Sequence, residues 1–298
     1  MKKEKIIGLL ALAGTVFFFS ILVIVARAYV GDVSPMMLLF LRMLFASLAF
    51  LPIFINSQVW KKKKFRTLIA VSLLSTVNVA FFMWGIAYTT ASASQLIYAA
   101  QPMLNLLVSN YIIKDRRYPI YSYVGVIVGL IGLGLILYQS SIGRIETISG
   151  NIVGNLLIVI AMLGWFLYIM LSKRLSKDFS PLELSSTAVY ASLVATTILL
   201  LFQMVFIKIP IHFSFGGIIG AVYMGLFGTF LTYILMQIAI KKLSTLTVNL
   251  TSYVQPLFVS LLAIIFLGEK LTIVFVVGSV FVLLGVFLTA TLEMYNRR

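Results

Sequence analysis

Residues 94–105 read Ser94-Gln95-Leu96-Ile97-Tyr98-Ala99-Ala100-Gln101-Pro102-Met103-Leu104-Asn105, and a counterpart, Val248-Asn249-Leu250-Thr251-Ser252-Tyr253-Val254-Gln255-Pro256-Leu257-Phe258-Val259, stands in the second half of the chain. Each lies in an apolar segment long enough for a membrane helix, and each carries Gln-Pro near its middle: Gln101-Pro102 and Gln255-Pro256. A proline inside a helix donates no backbone hydrogen bond and pushes away the carbonyl four residues earlier, here that of Tyr98 or Ser252. A freed carbonyl at mid-membrane depth is tolerated only where protein or a water-filled cavity satisfies it. Polar side chains follow the break. Gln95, Tyr98, Gln101 and Asn105 share one helix face, and Asn249, Ser252 and Gln255 do so in the second copy. Paired proline-interrupted helices in two halves of a chain point to a transporter's binding site.

Composition supports a membrane setting. The chain has 298 residues, 61% hydrophobic and 10% charged, with mean hydropathy +1.10. Soluble domains use about 25% charged residues. The net charge of +15 would suggest nucleic acid in a soluble protein. Here the basic residues sit at predicted helix ends and control topology, so no nucleic-acid partner is expected. The sequence has no cysteine, which excludes disulfides, thiolate metal sites and cysteine catalysis. The first apolar run is too long for a typical signal sequence and reads as a retained helix.

A helix needs about 20 apolar residues to cross a bilayer. Ten segments qualify: 6–26, 35–55, 67–88, 93–113, 119–138, 150–171, 183–206, 214–238, 246–267 and 271–292. With the N-terminus inside, the inner segments hold 18 Lys and Arg and the outer segments hold 4, with Arg42 inside a helix. That asymmetry places both termini in the cytoplasm, in a multi-pass protein of the cytoplasmic membrane. The chain also repeats. Asp32-Val33-Ser34-Pro35 recurs as Asp178-Phe179-Ser180-Pro181, Gln101-Pro102 recurs as Gln255-Pro256, and Gly125 and Gly132 match Gly278 and Gly285. The predicted fold class is an all-α membrane protein: ten transmembrane helices in two five-helix repeats, 1–140 and 149–298. Five is odd, so the second repeat is expected to be inverted.

These landmarks carry a family resemblance. Ser34-Pro35 followed by Arg42, the run Tyr88-Thr89-Thr90-Ala91-Ser92-Ala93-Ser94, Pro102, and Pro256 followed by Gly268-Glu269-Lys270 resemble the EamA-type transporters of the drug/metabolite transporter superfamily. The resemblance covers nearly the whole chain. It implies outward movement of small solutes, such as amino acids, through a central cavity lined by both halves. Many relatives carry Glu before the ninth-helix proline, where this chain has Gln255.

The candidate substrate-binding residues follow from the stripes. Gln95, Tyr98, Gln101 and Asn105 face Asn249, Ser252, Tyr253 and Gln255, with amide donors and acceptors and phenolic hydroxyls for a polar solute. Phe19 on helix 1, Trp165 and Tyr168 on helix 6, Asn78 and Trp84 on helix 3, and Thr232, Tyr233 and Gln237 on helix 8 complete the list. The bland reading is that these groups only bridge helices. Pro102 and Pro256 read as structural or gating positions. So does Arg42, which lies about two turns into its helix and could snorkel to the membrane surface.

All eight acids fall at helix ends, in loops or at termini, and the single His, His212, lies in an outer loop. An uncharged pocket and a facilitator therefore fit better than proton coupling, with Glu183 or Glu269 as the alternative couplers. Nothing points to an enzyme, a catalytic residue, a metal or a cofactor. The partners are the solute and the lipid bilayer. Gly125 and Gly129, with Gly132, Gly134, Gly278 and Gly285, read first as packing within the protomer and second as a homodimer face on helices 5 and 10. The alternative function is a flippase subunit for a lipid-linked precursor.

Overall fold

The computed structural model describes residues 2–101, 103–104, 120–142, 150–207, 212–243 and 251–295. The described residues form ten helices. These are α1 (Lys2–Tyr29), α2 (Pro35–Ser57), α3 (Phe65–Tyr88), α4 (Ala91–Ala99), α5 (Ile120–Ile142), α6 (Ile152–Leu175) and α7 (Pro181–Phe202). They continue with α8 (Phe215–Lys242), α9 (Thr251–Leu267) and α10 (Ile273–Tyr295). Six are long and apolar enough to cross a membrane, and three more contain shorter apolar stretches. Large apolar side chains such as Leu48, Ile127, Ile198 and Phe287 stay exposed on the outside, as lipid-facing residues do. This is a multi-pass membrane protein.

Helix starts follow ordinary chemistry. Pro35 and Pro181 open α2 and α7, where a missing N–H costs nothing. Ser180 and Glu183 form a reciprocal cap at the start of α7. Thr90 caps α4 by accepting from the Ala93 N–H at 3.1 Å.

The first proline break appears as expected. α4 ends at Ala99, and the chain tightens into three-residue turns, with Ala100 N–H donating to Ile97 O at 3.1 Å and Met103 N–H to Ala100 O at 3.0 Å. Gln101, just before Pro102, is again helical, and Pro102 itself lies outside the described residues. The second break differs. Pro256 is buried within a continuous α9. The described helix runs without interruption from Thr251 through Pro256 to Leu267.

Helices pack in a regular scheme. α5 lies on α10, α4 on α9, and α2 on α7; α3 lies on α6 and α7, and α1 on α8 and α9. Glycines set the closest of these approaches. A Cβ on Gly132 of α5 would stand 2.5 Å from the Gly278 carbonyl of α10, and one on Gly285 of α10 would stand 2.5 Å from the Gly125 carbonyl. Packing within the protomer, the first reading of these glycines, accounts for Gly125, Gly132, Gly278 and Gly285, while Gly134 stays open.

Candidate functional site

The centre of the bundle is polar where α2, α3, α4, α6 and α8 meet. Arg42 of α2 is the decisive side chain. It is 4% exposed, and its Nε donates to Thr229 Oγ1 on α8 at 3.0 Å. It does not snorkel. Gly225 lets the α8 backbone come close enough for this bond, since a Cβ there would stand 2.8 Å from the Arg42 carbonyl. Directly after Gly225, residues Leu226–Leu231 form a π-helical turn. The Thr232 N–H reaches back five residues to the Phe227 carbonyl. The hydroxyls of Thr229 and Thr232 bond the carbonyls of Met224 and Phe227, also five residues back, at 2.8 Å. Such turns cluster at functional sites.

Two tyrosines complete the cluster. Tyr233 of α8 lies one turn after Thr229, with its ring centroid 6.4 Å from that of Phe50 on α2, and Tyr98 stands on α4. Tyr98 accepts a hydrogen bond from Asn78 Nδ2 of α3, which also donates to the Ala161 carbonyl of α6 at 2.9 Å. Tyr168 of α6 is buried. Its hydroxyl donates to the Leu184 carbonyl at 3.3 Å, and its ring stacks on Trp165 with centroids 5.4 Å apart. One turn before Tyr98, the side chain of Gln95 is buried and accepts from Gln255 Nε2 at 2.9 Å. That bond joins α4 to α9, one helix from each half of the chain.

The structure thus joins Arg42 to Thr229, Asn78 to Tyr98 and Gln95 to Gln255, with Tyr168 bonded to the Leu184 carbonyl. Other expected residues do not join them. The Thr232 hydroxyl is spent inside its own helix. Trp84 contacts Phe81 on α3, with centroids 5.6 Å apart. Phe19 packs half-buried against the apolar core. Gln101 and Gln237 are half-buried. Asn105 and Asn249 lie outside the described residues, as do the side chains of Ser252 and Tyr253. Beside the uncharged groups expected here, the structure buries one permanent cation, Arg42.

Three features escaped sequence reasoning. The π turn is one. A second is a buried hydroxyl seam between α3 and α7, where Thr76 meets Ser192 at 3.1 Å; its small polar residues at helical spacing were a readable signal. The third is a set of polar ties at the two ends of α3. At one end, Glu269 of the α9–α10 loop accepts from Ala91 N–H at 2.7 Å, Ser92 N–H at 3.3 Å and the Ser92 hydroxyl at 2.6 Å. Burial raises its carboxyl pKa above the ordinary value, while these hydrogen bonds and nearby Arg27 pull it down. At the other end, Lys62 reaches Glu183 at 2.8 Å and Lys64 reaches Asp178 at 2.7 Å. The basic run 61–64 is therefore more than a topology signal. It clasps the start of α7.

The sequence profile of the EamA-like transporter family matches the chain twice, over residues 6–138 and 152–291. The chain belongs to the EamA-like transporter family. It is similar to an uncharacterized transporter of Clostridium kluyveri, 25% identical over 298 residues, covering 96% of this chain and 92% of that protein. It is also similar to the uncharacterized transporter YyaM of Bacillus subtilis, 28% identical over 274 residues, covering 89% and 87%. A solved crystal structure covers 100% of both chains with a TM-score of 0.66 at 15% identity, a likeness of fold alone.

Proposed function

We propose that this EamA-like transporter is a secondary carrier, an exporter or facilitator, that moves a small polar metabolite such as an amino acid across the cytoplasmic membrane by alternating access. The observation that carries the reading is the Gln95–Gln255 hydrogen bond at 2.9 Å. It joins the two Gln-Pro helices beside the Asn78–Tyr98 pair, so the polar groups of both halves converge on one place. Secondary carriers bind at such a junction near the midplane.

Two inverted repeats, 1–140 and 149–298, form the moving parts. The double match of the family profile supports the duplication. The packing scheme supports a two-fold relation: advancing every helix by five turns α3 on α6 into α8 on α1, and α3 on α7 into α8 on α2, and both members of each pair are present. The Lys and Arg asymmetry supports a cytoplasmic location for both termini. The half-buried residues Phe19, Trp84, Trp165 and Gln237 are assigned to the walls of the path.

The test is counterflow of labelled amino acids in proteoliposomes. Gln95→Leu combined with Gln255→Leu should lower uptake at least about tenfold while the purified protein still unfolds cooperatively. Unchanged uptake would remove the pair from the mechanism. Uptake should also proceed without an imposed pH gradient.

A further inference from the structure

Resting on the carrier reading, we propose that Arg42 receives a carboxylate of the solute, so that the transported class is small organic acids and amino acids rather than neutral or cationic metabolites. Arginine stays charged throughout the accessible pH range. A buried charge with no counter-charge is costly in protein, and more so within a membrane. Yet among the described residues Arg42 has Thr229 as its one hydrogen-bond partner, through Nε, and no carboxylate.

The acids with described side chains are all engaged or exposed elsewhere. Glu4 pairs with Lys242, Asp178 with Lys64 and Glu183 with Lys62. Glu269 caps α4, and Asp32 is exposed between α1 and α2. Asp115, Glu146 and the Glu293 side chain lie outside the described residues.

The neighbours of the guanidinium sharpen the chemistry. The Tyr98 oxygen accepts from Asn78, so the phenol proton is left to donate, and the described residues offer it no acceptor. Tyr233 likewise has no hydrogen-bond partner among them. The Nη groups of Arg42 and these two phenol protons are assigned to one anion. These are donors without an acceptor, and a carboxylate supplies two oxygens that accept in parallel from a guanidinium. One cation balances a carboxylate and leaves a phosphate dianion half-neutralised.

The experiment uses the full chain in proteoliposomes and in detergent, with a panel of monocarboxylates, dicarboxylates and amino acids, each beside its amide, and methyl phosphate. Counterflow and the ligand-induced rise in unfolding temperature are both read. The expected result is carriage and stabilisation by at least one carboxylate, with its amide weaker by at least about tenfold, the scale on which a site rejects an analogue that leaves its buried groups unpaired. Arg42→Gln should abolish that discrimination, and Arg42→Lys should restore part of it. If Arg42→Gln does not fold, Tyr233→Phe serves instead, weakening the carboxylate and leaving its amide unchanged.

Equal handling of acid and amide would overturn the proposal and leave the carrier reading intact. So would retained discrimination in Arg42→Gln, or better carriage of methyl phosphate than of every carboxylate. If no carboxylate is carried, the proposal is overturned, and the carrier reading then rests on whether any neutral member is carried.

Discussion

The two ends of α3 can be set side by side. The helix has 24 residues and spans about 36 Å, and at each end a few polar contacts hold the first half of the chain to the second. Near its last turn the tie is a single carboxylate, Glu269, sunk against the start of α4 and fed by two backbone N–H groups and a hydroxyl. Near its first turn the tie is a pair of lysines, with side-chain exposures of 40% for Lys62 and 55% for Lys64. Similar partners in different surroundings give different mechanics. The sunk carboxylate is held by short-range, desolvated bonds, while the lysines are screened by water and salt. If the halves rock against each other, the lysine end should part at lower cost.

That contrast can be broken most directly at Glu269. Glu269→Ala leaves the Ala91 and Ser92 N–H groups without their acceptor, an expected loss of about 1–3 kcal/mol. It should appear as a clear fall in unfolding temperature of the detergent-solubilised protein. A loss no larger than that of Lys64→Ala would erase the distinction between the two ends.

Acidity sharpens it next. The Glu269 carboxyl is raised above its ordinary 4.5, chiefly by burial. The folded protein therefore holds that proton more tightly than the unfolded chain does. Its contribution to stability is full below the unfolded value and is lost as pH rises through the folded value. Glu269→Gln should flatten this slope in melts recorded across the weakly acidic range, and an unchanged slope would assign it to other groups.

The smallest effects belong to the lysine end. Lys62→Ala takes the counter-charge from Glu183, whose side chain is only 8% exposed, and should cost about 1 kcal/mol. Lys64→Ala should cost a few tenths. Both losses should shrink when the melts are repeated at high salt, and a reversed order would contradict the burial argument.

Much of the architecture was readable because the bilayer imposes a length and an apolar composition on every crossing helix. Gln95, Gln255, Asn78 and Tyr98 could be picked out as polar side chains inside apolar helices, but which of them meet could not. The remaining features are tertiary. Arg42 meets a threonine 187 positions away, and nothing near Arg42 in the chain distinguishes that fate from snorkelling. A row of glycines announces a close approach without saying whose helix approaches, so the face of α5 and α10 could be read as an intermolecular surface. The π turn has no compositional mark. Gln101-Pro102 and Gln255-Pro256 look alike as letters, yet the described chain leaves the helix at Ala100 and stays helical through Pro256.

The wide turn at Leu226–Leu231 bears on how relatives are lined up with this chain. One additional residue per turn is an insertion that needs no loop, hidden within an unbroken helix. Beyond it, each side chain of α8 is rotated by about 100° from where a 3.6-residue count would put it. A relative lacking that residue would hold its counterpart of Tyr233 one number earlier, so a gapless alignment through this helix would set the wrong side chain beside Arg42.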